Sequence, residues 1–204
     1  PGTGVVGWET LGLRQAVWWA DYHGVMTMFW ATFLTGCLLG GAGAFTLLKA
    51  AAVRANLVGW TRSMRVALVV FGVAGLWFLW HVWNLGDADF GNFRVPLMVL
   101  FSGTIIGSFF YVRDLLAARG AAVLALLVSL ELLKSAYMHY DAPQRLLLVV
   151  FAYALIVGGI VYGAMPWRLR DALTWLARAD QRVSWLGRVA VGYGALLVIV
   201  SLTY

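Results

Sequence analysis

Long apolar stretches alternate along the chain with short segments that hold most of its charged residues. A helix needs about 20 mostly apolar residues to cross a hydrocarbon core of ~30 Å. Six stretches reach this length, and they predict membrane-spanning helices at residues 25–48, 66–86, 95–113, 120–140, 145–165 and 186–204. The expected fold is therefore all-α, a single integral membrane domain in the form of a polytopic transmembrane helix bundle with about six spans.

Two further segments are amphipathic rather than uniformly apolar. Residues 8–23 place tryptophan, leucine and tyrosine side chains at helical spacing. Residues 166–183 begin with a proline, which favours the first position of a helix, and carry a leucine stripe opposite charged residues. Both patterns predict short interfacial helices, the first on the outer membrane surface and the second on the inner one.

Basic residues gather in every second connection between spans. The connections after the first, third and fifth spans contain these basic residues: Lys49, Arg54, Arg62, Arg65, Arg113, Arg119, Arg168, Arg170, Arg178, Arg182 and Arg188. The remaining connections and the chain ends hold mainly acids. Because lysine and arginine mark cytoplasmic loops, the N-terminus, the loops at 87–94 and 141–144 and the C-terminus are predicted to lie outside. The topology is N-out and C-out, and the expected location is a bacterial inner (cytoplasmic) membrane.

Composition excludes several other classes of protein. Hydrophobic residues make up 62% of the chain and charged residues 12%, about half of the roughly 25% that a soluble domain carries. The net charge of +6 does not indicate nucleic-acid binding, because the basic residues are dispersed between apolar runs. A single cysteine, Cys37, excludes an intrachain disulfide and a cysteine-ligated iron–sulfur cluster.

Small residues spaced four apart occur in three spans. The pairs are Gly36 with Gly40, Gly103 with Gly107 and Gly159 with Gly163. Such spacing lets helices approach closely in lipid. It predicts a compact bundle or contact with partner subunits.

Polar residues within the spans are the candidates for chemistry. His81 lies at hydrocarbon depth near the outer end of the second span, and a polar side chain there needs a partner. Glu131, Lys134 and His139 fall on one broad face of the fourth span, with Glu131 expected near the membrane middle. The pair Glu131–Lys134, spaced i and i+3, either fixes helix orientation or forms a proton path or the polar wall of a quinone pocket.

Recognisable catalytic and metal-binding motifs are absent from the sequence. No HExxH, Walker loop or GxSxG elbow occurs, and no helix carries two histidines at metal-binding spacing. The sequence therefore predicts neither a catalytic set nor a metal site. A haem b held by His81 and His139 remains an open alternative.

Residues 28–115 resemble the quinone-reactive membrane anchors of polysulfide, nitrite and dimethyl sulfoxide reductases, the NrfD/DmsC type. The matching features are the aromatic, glycine-rich run at 29–45 and the turn Asn84-Leu85-Gly86 after the second span. The usual Arg-Pro or Ser-Pro of the family is replaced by Asp87-Ala88. The resemblance implies a quinol site near the outer surface, formed by these six residues: His81, Asn84, Asp87, Glu131, Lys134 and His139. It also implies a partner subunit that carries iron–sulfur clusters or haems.

The sequence thus predicts a membrane subunit of a bacterial electron-transfer complex of the respiratory type. The subunit would be a quinone-interacting anchor, which is non-catalytic or binds quinol as part of an oxidoreductase complex. Two alternatives stay open. One is a structural or assembly subunit of a larger membrane complex with no cofactor. The other is a small transporter or channel, in which Glu131 and Lys134 would line a path.

Overall fold

The computed structural model of the chain describes residues 7–85, 91–111, 115–137, 139 and 142–203. Every regular element within these ranges is helical, which confirms the all-α prediction. The helices are α1 Gly7–Leu48, α2 Ala50–Asn56, α3 Met64–Trp83, α4 Arg94–Tyr111, α5 Leu116–Ala136, α6 Arg145–Ala164, α7 Pro166–Ala177 and α8 Asp180–Ser201. Short 3₁₀ turns lie at Gly59–Arg62 and Gly91–Phe93.

Six of these segments are long and apolar enough to cross a membrane, as predicted. They are Met28–Leu48 within α1 and the whole of α3, α4, α5, α6 and α8. The amphipathic segment 8–23 lies in the same continuous helix as the first span, since α1 runs from Gly7 to Leu48. Its placement on the outer membrane surface stays a prediction.

Three helices, α5, α7 and α8, have an end that lies four to six residues from the predicted one. Helix α5 covers Leu116–Ala136 instead of 120–140, so Glu131 lies about 7.5 Å beyond the helix middle, towards its C-terminal end. Helix α7 begins at Pro166 as predicted but ends at Ala177 instead of 183. The extended backbone of Ala179 separates it from α8, which begins at Asp180 instead of 186.

Basic residues concentrate at one end of the bundle, which we call the inner end. There Arg54 of α2 pairs with Asp180 at the start of α8, with 2.5 Å between Nη1 and Oδ1. Arg182 stacks on the Trp175 ring of α7, with its guanidinium carbon 4.0 Å from the ring centroid. These contacts hold α2, α7 and α8 together at the end where the positive charge is predicted to face the cytoplasm.

Helix packing is uneven across the bundle. Helix α1 packs along α8, and α5 contacts α6, α3 and α1. Helix α4 packs mainly on α3, and none of its described residues is buried. The chain therefore has a well-packed centre around α5 and a peripheral span, α4, at one side.

Two of the three predicted glycine pairs support close helix contacts within the chain. A Cβ on Gly36 would lie 2.8 Å from the carbonyl oxygen of Gly194, and one on Gly159 would lie 2.8 Å from Leu126. A Cβ on Gly103 or Gly107 would meet nothing within 4 Å. The third pair therefore faces outward from α4.

Candidate functional site between α3 and α5

One side of α3 and one side of α5 meet along most of their length. Ala67, Ala74 and His81 recur every seven residues and so share one face of α3. At Gly120 of α5, a Cβ would lie 2.7 Å from the backbone of Phe71, so the two helices are in direct contact near their inner ends. Both α3 and α5 run from the inner end to the outer end of the bundle. Because Phe71 lies level with Gly120, His81 of α3 lies level with Glu131 of α5.

Three of the predicted site residues form a cluster, which we call the outer triad: His81, Glu131 and Lys134. Oε1 of Glu131 lies 3.4 Å from Nε2 of His81 and 3.1 Å from Nζ of Lys134. The carboxylate is therefore shared between a residue of α3 and a residue one turn further along α5. The cluster lies in the outer half of the bundle.

The triad is at the surface of the bundle rather than in its core. The side chains of Glu131 and Lys134 are 43% and 54% exposed, and that of His81 is 21% exposed. His81 Nε2 itself is buried and makes no hydrogen bond of good geometry. Lys134 donates to Glu131, which leaves most of the donor capacity of its ammonium group unused by the described residues.

The remaining predicted residues do not join the triad. Asn84 follows the end of α3 and donates from Nδ2 to the carbonyl oxygen of Trp80 at 2.7 Å. His139 lies beyond α5, with Nδ1 2.8 Å from the carbonyl oxygen of Tyr137. Both side chains thus bond to nearby backbone. Asp87 lies outside the described residues.

Two arginines that sequence reasoning missed hold the outer ends of the helices that carry the triad. Arg94 at the start of α4 donates to the carbonyl oxygen of Leu85 at 2.7 Å. Arg145 at the start of α6 donates to the carbonyl oxygen of Ala136 at 3.0 Å. In each case the arginine begins a span and reaches a carbonyl nine residues earlier, at the end of the previous span. Both arginines are the first residue of a span that begins at the outer end of the bundle. A basic residue at that position is the sequence signal that could have predicted a bond to the preceding helix end.

The donor set fits some ligands better than others. No group of three or more His, Cys, Asp or Glu side chains within the described ranges could hold a metal ion. Nε2 of His81 is buried beside Glu131 and is not open to a haem iron in this conformation, and the haem b alternative stays a prediction. The exposed donor of Lys134 and acceptor of Glu131 are of the kinds that the oxygens of a quinone and the hydroxyls of a quinol can hydrogen-bond.

Comparison of the chain with protein-family models gives no match, and neither do comparisons with curated proteins and with solved structures.

Proposed function

We propose that this chain is a membrane subunit of an electron-transfer complex and that the outer triad binds the headgroup of a quinone or quinol. The observation that carries the proposal is the exposure of Glu131 and Lys134 within a membrane span, at 43% and 54% of their side-chain surface. Ionisable groups inside the bilayer are costly unless they have polar partners. An uncovered ion pair on an apolar surface therefore calls for a polar ligand or a polar partner.

A quinone meets this requirement from within the bilayer. Its isoprenoid tail dissolves in the hydrocarbon, so the headgroup reaches a surface site in the outer half without crossing water. Lys134 would donate to a carbonyl oxygen, and Glu131 would accept from a quinol hydroxyl. Oxidation of a quinol to a quinone releases two protons and two electrons. Glu131 and His81 are the two groups of the triad that can accept a proton, so each would take up one.

The electrons must then leave to another protein. Cys37 is the only cysteine, so this chain cannot supply the thiolates of an iron–sulfur cluster. The proposal therefore includes a partner subunit with iron–sulfur clusters or haems, as the resemblance to the NrfD/DmsC-type anchors also implies. The predicted sidedness of the basic residues supports placement in a bacterial inner membrane, with the triad near the outer surface.

The test is quinone retention by the purified protein in its native assembly. We expect solvent extraction to yield quinone from the wild type and at least about tenfold less from Glu131→Gln, since a hydrogen bond to a charged group contributes about 1.5–3 kcal/mol. Thr104→Val is the matched control, because among the described residues the Thr104 hydroxyl bonds to no group but the carbonyl of Leu100 in its own helix. Equal quinone in the Glu131→Gln variant and the wild type would refute the site.

A second candidate function, an assembly subunit without a cofactor, is favoured by α4. This helix has no buried residue and its glycine pair is uncovered, which suits contact with a neighbouring subunit. A reduced-minus-oxidised visible spectrum of the same sample, together with the extraction, separates the candidates. Absence of quinone and of any haem band in an intact assembly would favour the assembly subunit.

A further inference from the structure

A groove lined by small residues runs between α5 and α6 in the inner half of the bundle. Its volume is about 360 Å³, within the range of small-molecule sites. Its walls include Ala121 and Ala125 of α5 and Gly158 of α6, and Trp60 and Tyr162 border its inner end. Along α5 the lining extends for about 10 Å, the length of two helical turns.

The groove exists because α5 and α6 touch at one position and separate beside it. At Gly159 a Cβ would lie 2.8 Å from Leu126, so the helices are in contact there. A Cβ on the neighbouring Gly158 would lie 3.9 Å from the ring of Tyr162 on the same helix and would meet no atom of α5 within 4 Å. Since Ala154 on the same wall is exposed, the groove opens sideways to the hydrocarbon.

Two arginines are the sequence neighbours of residues that line the inner end of this groove. Arg119 follows the lining residue Ala118, and Arg168 precedes the lining residue Leu169. Neither guanidinium has a hydrogen bond or ion pair with any described residue, whereas Arg54 nearby is paired with Asp180. The Tyr162 hydroxyl also has no described partner. Tyrosine and tryptophan rings favour this depth, where the hydrocarbon meets the headgroups.

We infer that this groove binds an anionic phospholipid of the inner leaflet, with one acyl chain between α5 and α6 and the phosphate between Arg119 and Arg168. Charge complementarity selects this occupant, because a guanidinium matches the geometry of a phosphate and neither arginine pairs with an anion among the described residues. A quinone tail or an apolar partner helix would fill the groove but leave both cations unpaired. The inference does not depend on the proposed quinone site, which lies in the opposite half of the bundle.

The test measures lipid retention by native mass spectrometry. The full chain is reconstituted in vesicles of equal parts phosphatidylglycerol and phosphatidylcholine and then released in detergent. We expect the wild type to retain phosphatidylglycerol, and the double variant Arg119→Gln/Arg168→Gln to bind it about 25-fold more weakly, about fivefold for each cation removed. Arg178→Gln is the control, an exposed cation that does not adjoin the groove.

A second variant tests the acyl-chain part of the site without changing charge. Gly158→Leu should fill the groove and reduce phosphatidylglycerol retention at least tenfold. Gly192→Leu, at an open glycine of α8, should leave retention unchanged. Equal retention of the two lipids by the wild type, unchanged retention in both groove variants, or a quinone or partner helix in the groove would each overturn the inference.

Discussion

The seam between α1 and α8 and the outward face of α4 use the same glycine spacing with opposite results. In the seam, a Cβ on Gly194 would lie 2.5 Å from the backbone nitrogen of Gly40, so the two backbones touch. On α4, Gly103 and Gly107 face open space. Glycine spacing therefore permits a close approach but does not supply the second helix.

What distinguishes the two regions is the neighbouring helix. Helix α8 offers small residues of its own, Gly187 and Gly194, opposite the glycines of α1. Helix α4 has α3 as its main neighbour, and that contact uses larger side chains such as Phe78 against Phe101, with 4.9 Å between ring centroids. The glycines of α4 lie on the side that α3 does not cover.

The largest effect is expected from Gly194→Ala, which would break the seam. The added methyl group would meet backbone atoms of Gly36 and Gly40 at 2.5–2.8 Å, and backbone cannot rotate aside as a side chain can. We expect the free energy of unfolding to fall by about 3 kcal/mol, at the upper end of overpacking costs. Thermal melting of the detergent-purified chain measures this loss.

Gly192→Ala is the matched control on the same helix. No atom outside its own turn lies within 4 Å of a Cβ there. Alanine should therefore be neutral or raise stability by up to about 1 kcal/mol through helix propensity. Similar melting of the two variants would show that the seam does not depend on close backbone contact.

A smaller effect is expected on the side of the bundle where α3 meets α5. Glu131→Gln leaves Lys134 without its counter-charge and removes the carboxylate beside His81 of α3, and we expect a loss of about 1 kcal/mol, typical of polar contacts between membrane helices. The double variant Glu131→Gln/Lys134→Met should recover most of it, since no unpaired charge remains. Thermal melting of the single and double variants measures the coupling, and additive losses would mean that the two charges do not interact.

The six spans were predictable because apolar length is a local property of the chain. The ends of α5 were harder to predict from the sequence. Residues 137–140 lengthen the apolar stretch, but the extended backbone of Tyr137 ends the helix before them. At the other end, Arg119 was assigned to a loop, but it lies in the first turn of α5, where a long arginine side chain can reach the headgroups.

The resemblance grouped six residues in one site, whereas the structure brings three of them together. His81 and Glu131 each stood out because polar groups in a span need partners. Their contact depends on which faces of α3 and α5 meet, and that is set by the approach of Gly120 to Phe71, which no local pattern shows. The backbone bonds of Asn84 and His139 depend likewise on turn geometry at the helix ends.

The smallest effect on the isolated chain is expected from Gly103→Leu, which tests the other half of the comparison. A leucine there projects into open space, so the free energy of unfolding in detergent should stay within about 0.5 kcal/mol of the wild type. If the face of α4 contacts a partner subunit, the same variant should weaken association within the native assembly at least about tenfold, because the bulk prevents close approach. Co-purification from the native membrane measures that association. A stable chain that assembles normally would show that lipid covers these glycines, and a destabilised chain would show that α4 has a neighbour within its own bundle.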